Sequence, residues 1–331
     1  TYTGGTFLFR SKARVEHNDA LGTGLVTLFN TGARLELVDG ITLDNDITFA
    51  SNGNAKSIDL ASGSATISSN STITTAETVA IHARFTTSAG ATLTVDANIT
   101  GSGGVTKHGD GTVIYTNATN NFTGYGNVYG GTLQIGEAGR LGGGNYSGDI
   151  AVSSGATFQY SSSASGPAAK YTGAISGDGT LIKDGSDSEL RLLGNNNSIA
   201  NIEINQGILR GSSQDNSLGD AGTTISLGDT SGTANAQLAY AGSSNSTTKA
   251  GITVRSGSTG TKTIRNINGT VTDNTAITLN DSVTIDDTAI LTLGGVISGS
   301  GGMTKIGSGT TTLSGANTYS GNTTITAGTL Q

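Results

Sequence analysis

Apolar residues alternate with polar ones along much of the chain, at the two-residue period of a β-strand. Between Ala91 and Val95, alanine, leucine and valine alternate with threonine, and the stretch from Ile150 to Tyr160 has similar spacing. Because successive side chains of a strand point to opposite faces, this pattern predicts strands with one buried face. Glycine, asparagine, aspartate or serine, which turns require, interrupts each run after three to five residues. No amphipathic helical stretch of twelve residues occurs, so the sequence predicts an all-β protein.

Three segments of the chain repeat one phrase. They read ITGSGGVTKHGDGT from Ile99, ISGDGTLIKDGSDS from Ile175 and ISGSGGMTKIGSGT from Ile297. Each copy ends in a similar short strand, GGTLQ, QGILR or AGTLQ. A self-similar unit of this length is typical of repeat architectures. The repeat units predicted from these phrases cover about residues 1–22 (a partial unit), 99–142, 175–219 and 297–331.

Short strands, glycine-rich turns and a repeated unit fit a β-sandwich, a β-propeller or a β-solenoid. The uneven distance between the copies disfavours a propeller, because its blades have nearly constant length. One to three inward residues per strand suit a narrow core enclosed by a single coil better than two broad facing sheets. The sequence therefore predicts a parallel β-helix, a single-stranded β-solenoid, that is continuous over residues 1–331.

The composition argues against several classes of function. The 331 residues include 52 glycines, three histidines and no cysteine, and the net charge is −7. Without cysteine there is no disulfide framework and no thiol nucleophile. The chain contains no run of lysine and arginine and no apolar stretch near the ~20 residues that span a bilayer. We therefore expect no nucleic acid partner, no membrane insertion of this segment and no cofactor.

The last copy of the phrase strongly resembles the passenger-associated repeat of bacterial autotransporters and related surface proteins. The family places glycine, lysine, asparagine and tyrosine at alternate positions, and GSGGMTKIGSGTTTLSGANTYSGNTTITAGTLQ from Gly299 satisfies the pattern nearly throughout. The copy from Gly101 matches after one extra residue, whereas the copy from Gly177 is degenerate in its middle. The resemblance implies a right-handed parallel β-helix that is exported across the outer membrane and displayed outside the cell. It implies fold and location far better than activity.

The first residues of the chain resemble part of the last copy. TYTGGT begins at Thr1 and TYSGNT begins at Thr318, and the sequence opens without methionine or a recognisable signal peptide. Two interpretations fit this likeness. The chain is a fragment of a longer repeat protein, or its end coils stack on identical copies and form a fibre, because such a contact does not close. The fragment is slightly favoured.

Carboxylates are the candidates for catalysis, since enzymes that cleave glycosidic bonds use paired acids. The acidic clusters of the chain are Asp184, Asp187 and Glu189; Asp281, Asp286 and Asp287; and Asp44 and Asp46. The first cluster replaces HGDGT and IGSGT of the other copies, so the unit folds without these acids. A solvated turn is therefore favoured over a catalytic or calcium site. No histidine has a partner at metal-ligand spacing, and His17, His82 and His108 are predicted to be surface or turn residues.

Two tyrosines are candidate carbohydrate contacts. Tyr125 and Tyr129 align with an asparagine and a threonine of the last copy, so the fold does not require them. Val128 aligns with Ile325 and should point inward, which places Tyr129 outward and Tyr125 on the adjoining turn. Exposed tyrosines beside asparagine-rich turns can stack on sugar faces. The alternative, which is favoured, is that both side chains cover an insertion loop.

These patterns predict a non-catalytic extracellular β-helix: a displayed stalk, an adhesin or the subunit of a matrix fibre. Its expected partners are identical copies, through the terminal coils, and surface glycans. A first alternative is a β-helix that binds or cleaves polysaccharide with a groove of carboxylates about 5–10 Å apart. A second is a binder that resembles a viral tail-spike and forms a trimer.

Overall fold

A computed structural model describes residues 2–50, 55–75, 82–164, 167–185, 188–195, 197–212, 216–242 and 244–331, with no side chains described for 244–247. The chain divides into two compact units, Thr1–Pro167 and Ala168–Gln331. Over the described ranges the secondary structure consists of short strands, with no α-helix and with one 3-10 turn at Gly142–Gly144. The all-β class predicted from the alternation is therefore confirmed.

The strands of the first unit are β1 (Thr6–Leu8), β2 (Lys12–Val15), β3 (Val26–Leu28), β4 (Arg34–Leu37), β5 (Thr42–Leu43), β6 (Ile47–Phe49), β7 (Ser57–Leu60), β8 (Ser64–Ile67), β9 (Thr72–Thr74), β10 (Ala83–Thr87), β11 (Thr92–Val95), β12 (Asn98–Thr100), β13 (Val105–His108), β14 (Thr112–Tyr115), β15 (Gly126–Val128), β16 (Thr132–Ile135), β17 (Asn145–Tyr146), β18 (Ile150–Val152) and β19 (Thr157–Tyr160). All of them except β17 pair in parallel in three columns. The first is β1-β3-β6-β9-β12, the second is β2-β4-β7-β10-β13-β15-β18, and the third is β5-β8-β11-β14-β16-β19.

The strands of the second unit are β20 (Ala169–Tyr171), β21 (Ile175–Lys183), β22 (Glu189–Leu192), β23 (Ser198–Ile204), β24 (Gly207–Gly211), β25 (Thr224–Leu227), β26 (Ala236–Tyr240), β27 (Ser244–Thr247), β28 (Gly251–Val254), β29 (Lys262–Asn266), β30 (Thr270–Asp273), β31 (Ile277–Leu279), β32 (Val283–Asp286), β33 (Ile290–Leu293), β34 (Ile297–Gly299), β35 (Met303–Ile306), β36 (Thr310–Leu313), β37 (Thr323–Ile325) and β38 (Thr329–Leu330). They also form three parallel columns: β21-β23-β25-β28-β31-β34, β20-β22-β24-β26-β29-β32-β35-β37 and β27-β30-β33-β36-β38.

Parallel pairing between strands one coil apart is the arrangement of a β-solenoid, and each unit has it. The predicted solenoid is therefore confirmed. Its right-handed course and its continuity over residues 1–331 stay predictions. The part of the chain that the structure describes contains no helix that is both long and apolar enough to cross a membrane.

The core of each unit is a set of columns of apolar side chains, in which residues one coil apart are direct neighbours. One such column in the first unit is Val26, Ile47, Ile73 and Ile99, all fully buried. Each buried aliphatic side chain of this size contributes about 1.5–3 kcal/mol of hydrophobic free energy. The alternation in the sequence is therefore the inside–outside alternation of the coil.

The three copies of the repeated phrase build the same turn. Gly101, Gly177 and Gly299 have φ of +107°, +110° and +107°, a region that side chains with a Cβ atom rarely adopt. At Gly299 an added Cβ would also lie 2.3 Å from the carbonyl oxygen of Leu279 on the neighbouring coil. The phrase therefore needs glycine there for two reasons, the backbone conformation and the close approach of the next coil.

An asparagine of the following coil fixes the start of each copy. The Oδ1 atoms of Asn120, Asn197 and Asn317 accept hydrogen bonds from the backbone N–H of Ile99, Ile175 and Ile297, at 2.9, 2.6 and 2.8 Å. These amide bonds join residues 20 to 22 positions apart. The copy from Gly177, which departs from the repeat pattern in its middle, nevertheless keeps this contact.

The lysine of each copy is buried inside the coil. Lys107, Lys183 and Lys305 are at most 1% exposed. The Nζ atom of Lys107 donates to the carbonyl oxygens of His108, Gly109 and Gly130 at 2.9, 2.6 and 3.1 Å. Burial lowers the pKa of Lys107 and of Lys183 to about 8, so both side chains are charged at neutral pH. The lysine therefore supplies hydrogen-bond donors to a turn whose carbonyl groups face the interior.

Candidate functional site

Tyr129 lies on the outer surface of the first unit, directly after β15. The preceding Val128 is fully buried, whereas the Tyr129 side chain is 52% exposed. The backbone N–H of Tyr129 donates to the carbonyl oxygen of Lys107 at 2.9 Å, which fixes the residue beside β13. The side chain of Val128 therefore points inward and that of Tyr129 points outward, as predicted.

His108 packs on Tyr129 from the neighbouring coil. The register of β13 and β15 pairs Lys107 with Val128, so the residues that follow them in the chain, His108 and Tyr129, are also side by side. Their ring centroids are 4.6 Å apart, with 32° between the ring planes. The side-chain amide of Asn127 donates to the Tyr129 hydroxyl at 3.2 Å. Two rings and an amide therefore form one surface.

Tyr125 extends this surface but is partly buried. Its hydroxyl oxygen lies 2.7 Å from Nδ1 of His82, within hydrogen-bond distance, and the two ring centroids are 5.8 Å apart. An added Cβ at Gly104 would lie 2.6 Å from the carbonyl oxygen of Tyr125 and 3.1 Å from its ring. Glycine at position 104 is thus what lets Tyr125 lie against the turn. We call Tyr125, Tyr129, His82 and His108 the aromatic cluster.

The histidines of the aromatic cluster are neutral at pH 7. Burial lowers the pKa of His108 to about 4, and the positive charges of Arg84 and Lys107 and the neighbouring His82 act in the same direction. Burial, Arg84 and Lys56 also lower the pKa of His82. Burial raises the pKa of Tyr125, so its hydroxyl keeps its proton. The cluster therefore presents uncharged rings and hydrogen-bonding groups on its outer face.

The sequence indicated the two tyrosines of the cluster but not the two histidines. His108 lies in strand β13 rather than in a turn, and His82 and His108 are both partly buried. His17 is exposed, as predicted. The number of residues in this coil could not be predicted from the sequence. That number makes His108 and Tyr129 neighbours, although they are 21 residues apart in the chain.

The candidate acids are held by structural partners. Glu189 pairs with Arg191 at 2.9 Å and Asp281 with Lys262 at 2.7 Å. Asp286 pairs with Arg265 at 3.4 Å. Asp287 is buried and accepts a hydrogen bond from the Thr311 hydroxyl. The remaining described acids accept backbone or hydroxyl hydrogen bonds: Asp184 from Gly185, Asp44 from Ser68 and Asp46 from Thr72.

The last candidate acid and the possible metal ligands complete the description of the acidic residues. Asp187 lies outside the described residues. Within the described ranges no group of three or more histidine, aspartate and glutamate side chains is arranged to hold a metal ion. The partners of the described candidate acids explain them as parts of the turns, of the outer surface and, for Asp287, of the interior.

Comparison with known families adds one result. Residues 105–135 and 303–331 match the family model described as the passenger-associated-transport-repeat. These two segments are therefore similar to the passenger-associated-transport repeat. Each matched transport repeat contains a buried lysine, Lys107 or Lys305, and the first one contains three members of the aromatic cluster. The transport repeats and the solenoid fold agree with the predicted resemblance to autotransporter passengers. No curated protein and no solved structure matches the chain.

Proposed function

We propose that the chain is part of a passenger that is displayed outside a bacterial cell and acts as a non-catalytic adhesive and structural scaffold. The observation that carries the proposal is that both matched segments are part of the coil itself, which they join through an asparagine bond and a buried lysine. A coil held by hydrogen bonds between its turns needs no disulfide or metal, and this suits a chain without cysteine.

The aromatic cluster is the proposed contact with neutral surface sugars. Its rings form two contacting pairs, His82 with Tyr125 and His108 with Tyr129, and Tyr129 is the most exposed of them. Aromatic rings with a polar edge are suited to the apolar face of a sugar ring, and by analogy with a pair of aromatic rings we expect each contact to contribute about 0.5–1.5 kcal/mol. Binding of a sugar in this way requires no catalytic group.

Glycan cleavage is the weaker candidate function. It would need two acids placed for acid–base chemistry, and the described candidate acids are instead paired with lysine or arginine or accept hydrogen bonds from turn backbone or hydroxyl groups. End-to-end association of copies is a further proposal. Parallel strand edges such as β37 can accept another strand, and a mass that rises with concentration in analytical ultracentrifugation would support it.

Intact cells that produce the full-length protein with an epitope tag in this segment test the proposal. Protease added outside should remove the epitope, because the segment is displayed. The same cells should attach to a surface coated with neutral glycans, and Tyr129→Ala should reduce attachment severalfold. A change of about 1 kcal/mol per site corresponds to roughly a fivefold weaker contact.

Tyr2→Ala is the matched control, since Tyr2 is also a surface tyrosine, 56% exposed. It should leave attachment unchanged. An epitope that external protease does not reach would contradict display. Attachment that survives Tyr129→Ala, or that Tyr2→Ala reduces equally, would refute the role of the aromatic cluster.

A further inference from the structure

Three cationic side chains of the second unit lie in one row across neighbouring strands. The register pairs Lys170 on β20 with Arg191 on β22, and Arg191 with Arg210 on β24. All three side chains are partly exposed, whereas the residues before them, Ala169, Leu190 and Leu209, are buried. Neighbouring strands are about 4.8 Å apart, so the row places three positive charges within roughly 10 Å. We call Lys170, Arg191 and Arg210 the cationic row.

The cationic row is not neutralised by its surroundings. One carboxylate, that of Glu189, serves both arginines, at 2.9 Å from Arg191 and 3.4 Å from Arg210. Lys170 makes no ion pair with any residue that the structure describes. Like charges directly opposite each other destabilise a sheet. Packing of the coil therefore gives no reason for three cations in register.

Two outward cations of the first unit are paired with acids. Lys12 pairs with Glu36 at 2.9 Å, and Arg14 pairs with Glu36 at 3.1 Å and with Glu16 at 2.8 Å. Arg34 lies opposite Lys12 in the register. The cationic row differs because its three cations share one carboxylate and line one pocket.

The cationic row lines a shallow pocket. The pocket has a volume of about 380 Å³ and includes Leu193, Ser212 and Asn268 beside the three cations. A leucine offers an apolar contact, and the hydroxyl and amide groups offer hydrogen bonds. Such a mixture of groups is typical of sites that hold a polar ligand in a fixed orientation.

We propose that the cationic row and its pocket bind an acidic polysaccharide, a chain of sugars that carry carboxylate or sulfate groups. Arginine binds planar carboxylate groups, and tetrahedral oxyanions such as phosphate and sulfate, through paired N–H donors. The strand spacing of about 4.8 Å is close to the step of an extended sugar chain, so successive acidic groups can meet successive cations. The proposal rests on the adhesive role proposed above, because that role places the chain outside the cell, where it can meet the glycan.

A nucleic acid is the less favoured polyanion. Its charge density demands many phosphate contacts, whereas the whole chain has 17 lysines and arginines and a net charge of −7. Several of the other cations are buried or paired with acids, including Lys107, Lys183 and Lys305. A single row of three cations therefore suits a polymer with fewer charges better than it suits a nucleic acid.

Binding of defined polymers to the purified chain, at low ionic strength, tests the proposal. The probes are alginate oligosaccharide, heparin oligosaccharide, neutral dextran and a short DNA duplex. The chain should bind alginate or heparin more tightly than neutral dextran. The triple variant Lys170→Gln/Arg191→Gln/Arg210→Gln should bind the acidic glycan about tenfold or more weakly, because three charge contacts are lost. Glu189→Gln should bind it more tightly, because it removes the carboxylate that offsets the row.

Lys12→Gln/Arg14→Gln is the matched control, since it also removes outward cations, and it should bind like the wild type. Circular dichroism and thermal unfolding establish that each variant is folded. Equal binding by the triple variant, no binding of either acidic glycan by the wild type, or tighter binding of DNA would each overturn the proposal. If attachment of cells through Tyr129 persists in that case, the cationic row fails while the adhesive role stands.

Discussion

Replacing Asp273 by alanine should destabilise the second unit by about 3–5 kcal/mol, the cost of breaking a buried ion pair from one side. Asp273 and Lys249 are both 1% exposed, and Oδ2 of Asp273 lies 3.3 Å from Nζ of Lys249. The Tyr240 hydroxyl donates to the same oxygen at 2.5 Å, and the Thr275 backbone N–H donates to Oδ1 at 2.9 Å. The substitution removes the negative charge that faces the lysine and two acceptors of buried donors. Urea-induced unfolding followed by circular dichroism measures the loss.

Two comparisons show whether the ion pair is the cause. Asp178→Ala removes an exposed carboxylate of the same unit and should change the free energy of unfolding by no more than about 0.5 kcal/mol. Lys249→Met/Asp273→Ala removes both charges and should be less destabilised than Asp273→Ala alone. A free energy of unfolding for Asp273→Ala within about 1 kcal/mol of the wild type would show that the pair is not a buried structural element.

Replacing Lys107 by methionine should destabilise the first unit by about 2–4 kcal/mol. Methionine fills a similar volume but donates no hydrogen bond, so three carbonyl groups that Lys107 now contacts lose a buried donor. A buried polar group left unsatisfied costs about 1–3 kcal/mol, and neighbouring groups of this kind do not add fully. Hydrogen exchange of the amides in β13–β16 should also accelerate, because the turn connects these coils.

Lys12→Met is the matched control, because the Lys12 side chain is 53% exposed and pairs only at the surface, with Glu36. Its effect should lie within about 0.5 kcal/mol of zero. Similar stabilities for the two methionine variants would mean that the repeat lysine has no role in holding the turn. Hydrogen bonding to the turn carbonyls would then not explain why the transport repeat contains lysine at this position.

The solenoid was predictable because each of its elements leaves a local signal. Alternation over Ala91–Val95 marks a strand, and glycine in the phrase from Ile99 marks a turn with positive φ. The repeated phrase then shows that equivalent strands recur, which a sandwich does not require. The length of each coil was harder to predict, because insertions change the distance between copies from one coil to the next.

The contacts across coils were less predictable. Asn120 reaches Ile99 and Lys107 reaches Gly130, and neither contact can be assigned until the register of the coils is known. The same reason explains the functional surfaces. Tyr129 was predicted from its position beside an inward valine, but its partner His108 belongs to the previous coil.

The residues of the cationic row are far apart in the sequence but adjacent in the structure. Lys170, Arg191 and Arg210 are 21 and 19 residues apart, so the sequence contains no run of basic residues. Stacking of the coils converts these distances into adjacent positions on three strands. Charge in such a protein has to be counted by column rather than along the chain.

Cysteine pairs test most directly whether successive coils lie in register. The chain has no cysteine of its own. Thr284 and Thr304 are paired on the neighbouring parallel strands β32 and β35, and Thr304 is paired with Thr324 on β37. Thr284→Cys/Thr304→Cys should form a disulfide on oxidation, because about 4.8 Å between strands is within the range that a disulfide bridges.

Thr284→Cys/Thr324→Cys should remain unbridged, since two strand spacings of about 10 Å exceed that range. Peptide mapping of the oxidised proteins identifies the linked cysteines. A disulfide in the 284/304 protein alone is the result expected of stacked coils. A disulfide between positions 284 and 324, with none between 284 and 304, would contradict the register on which the fold and both proposed glycan surfaces depend.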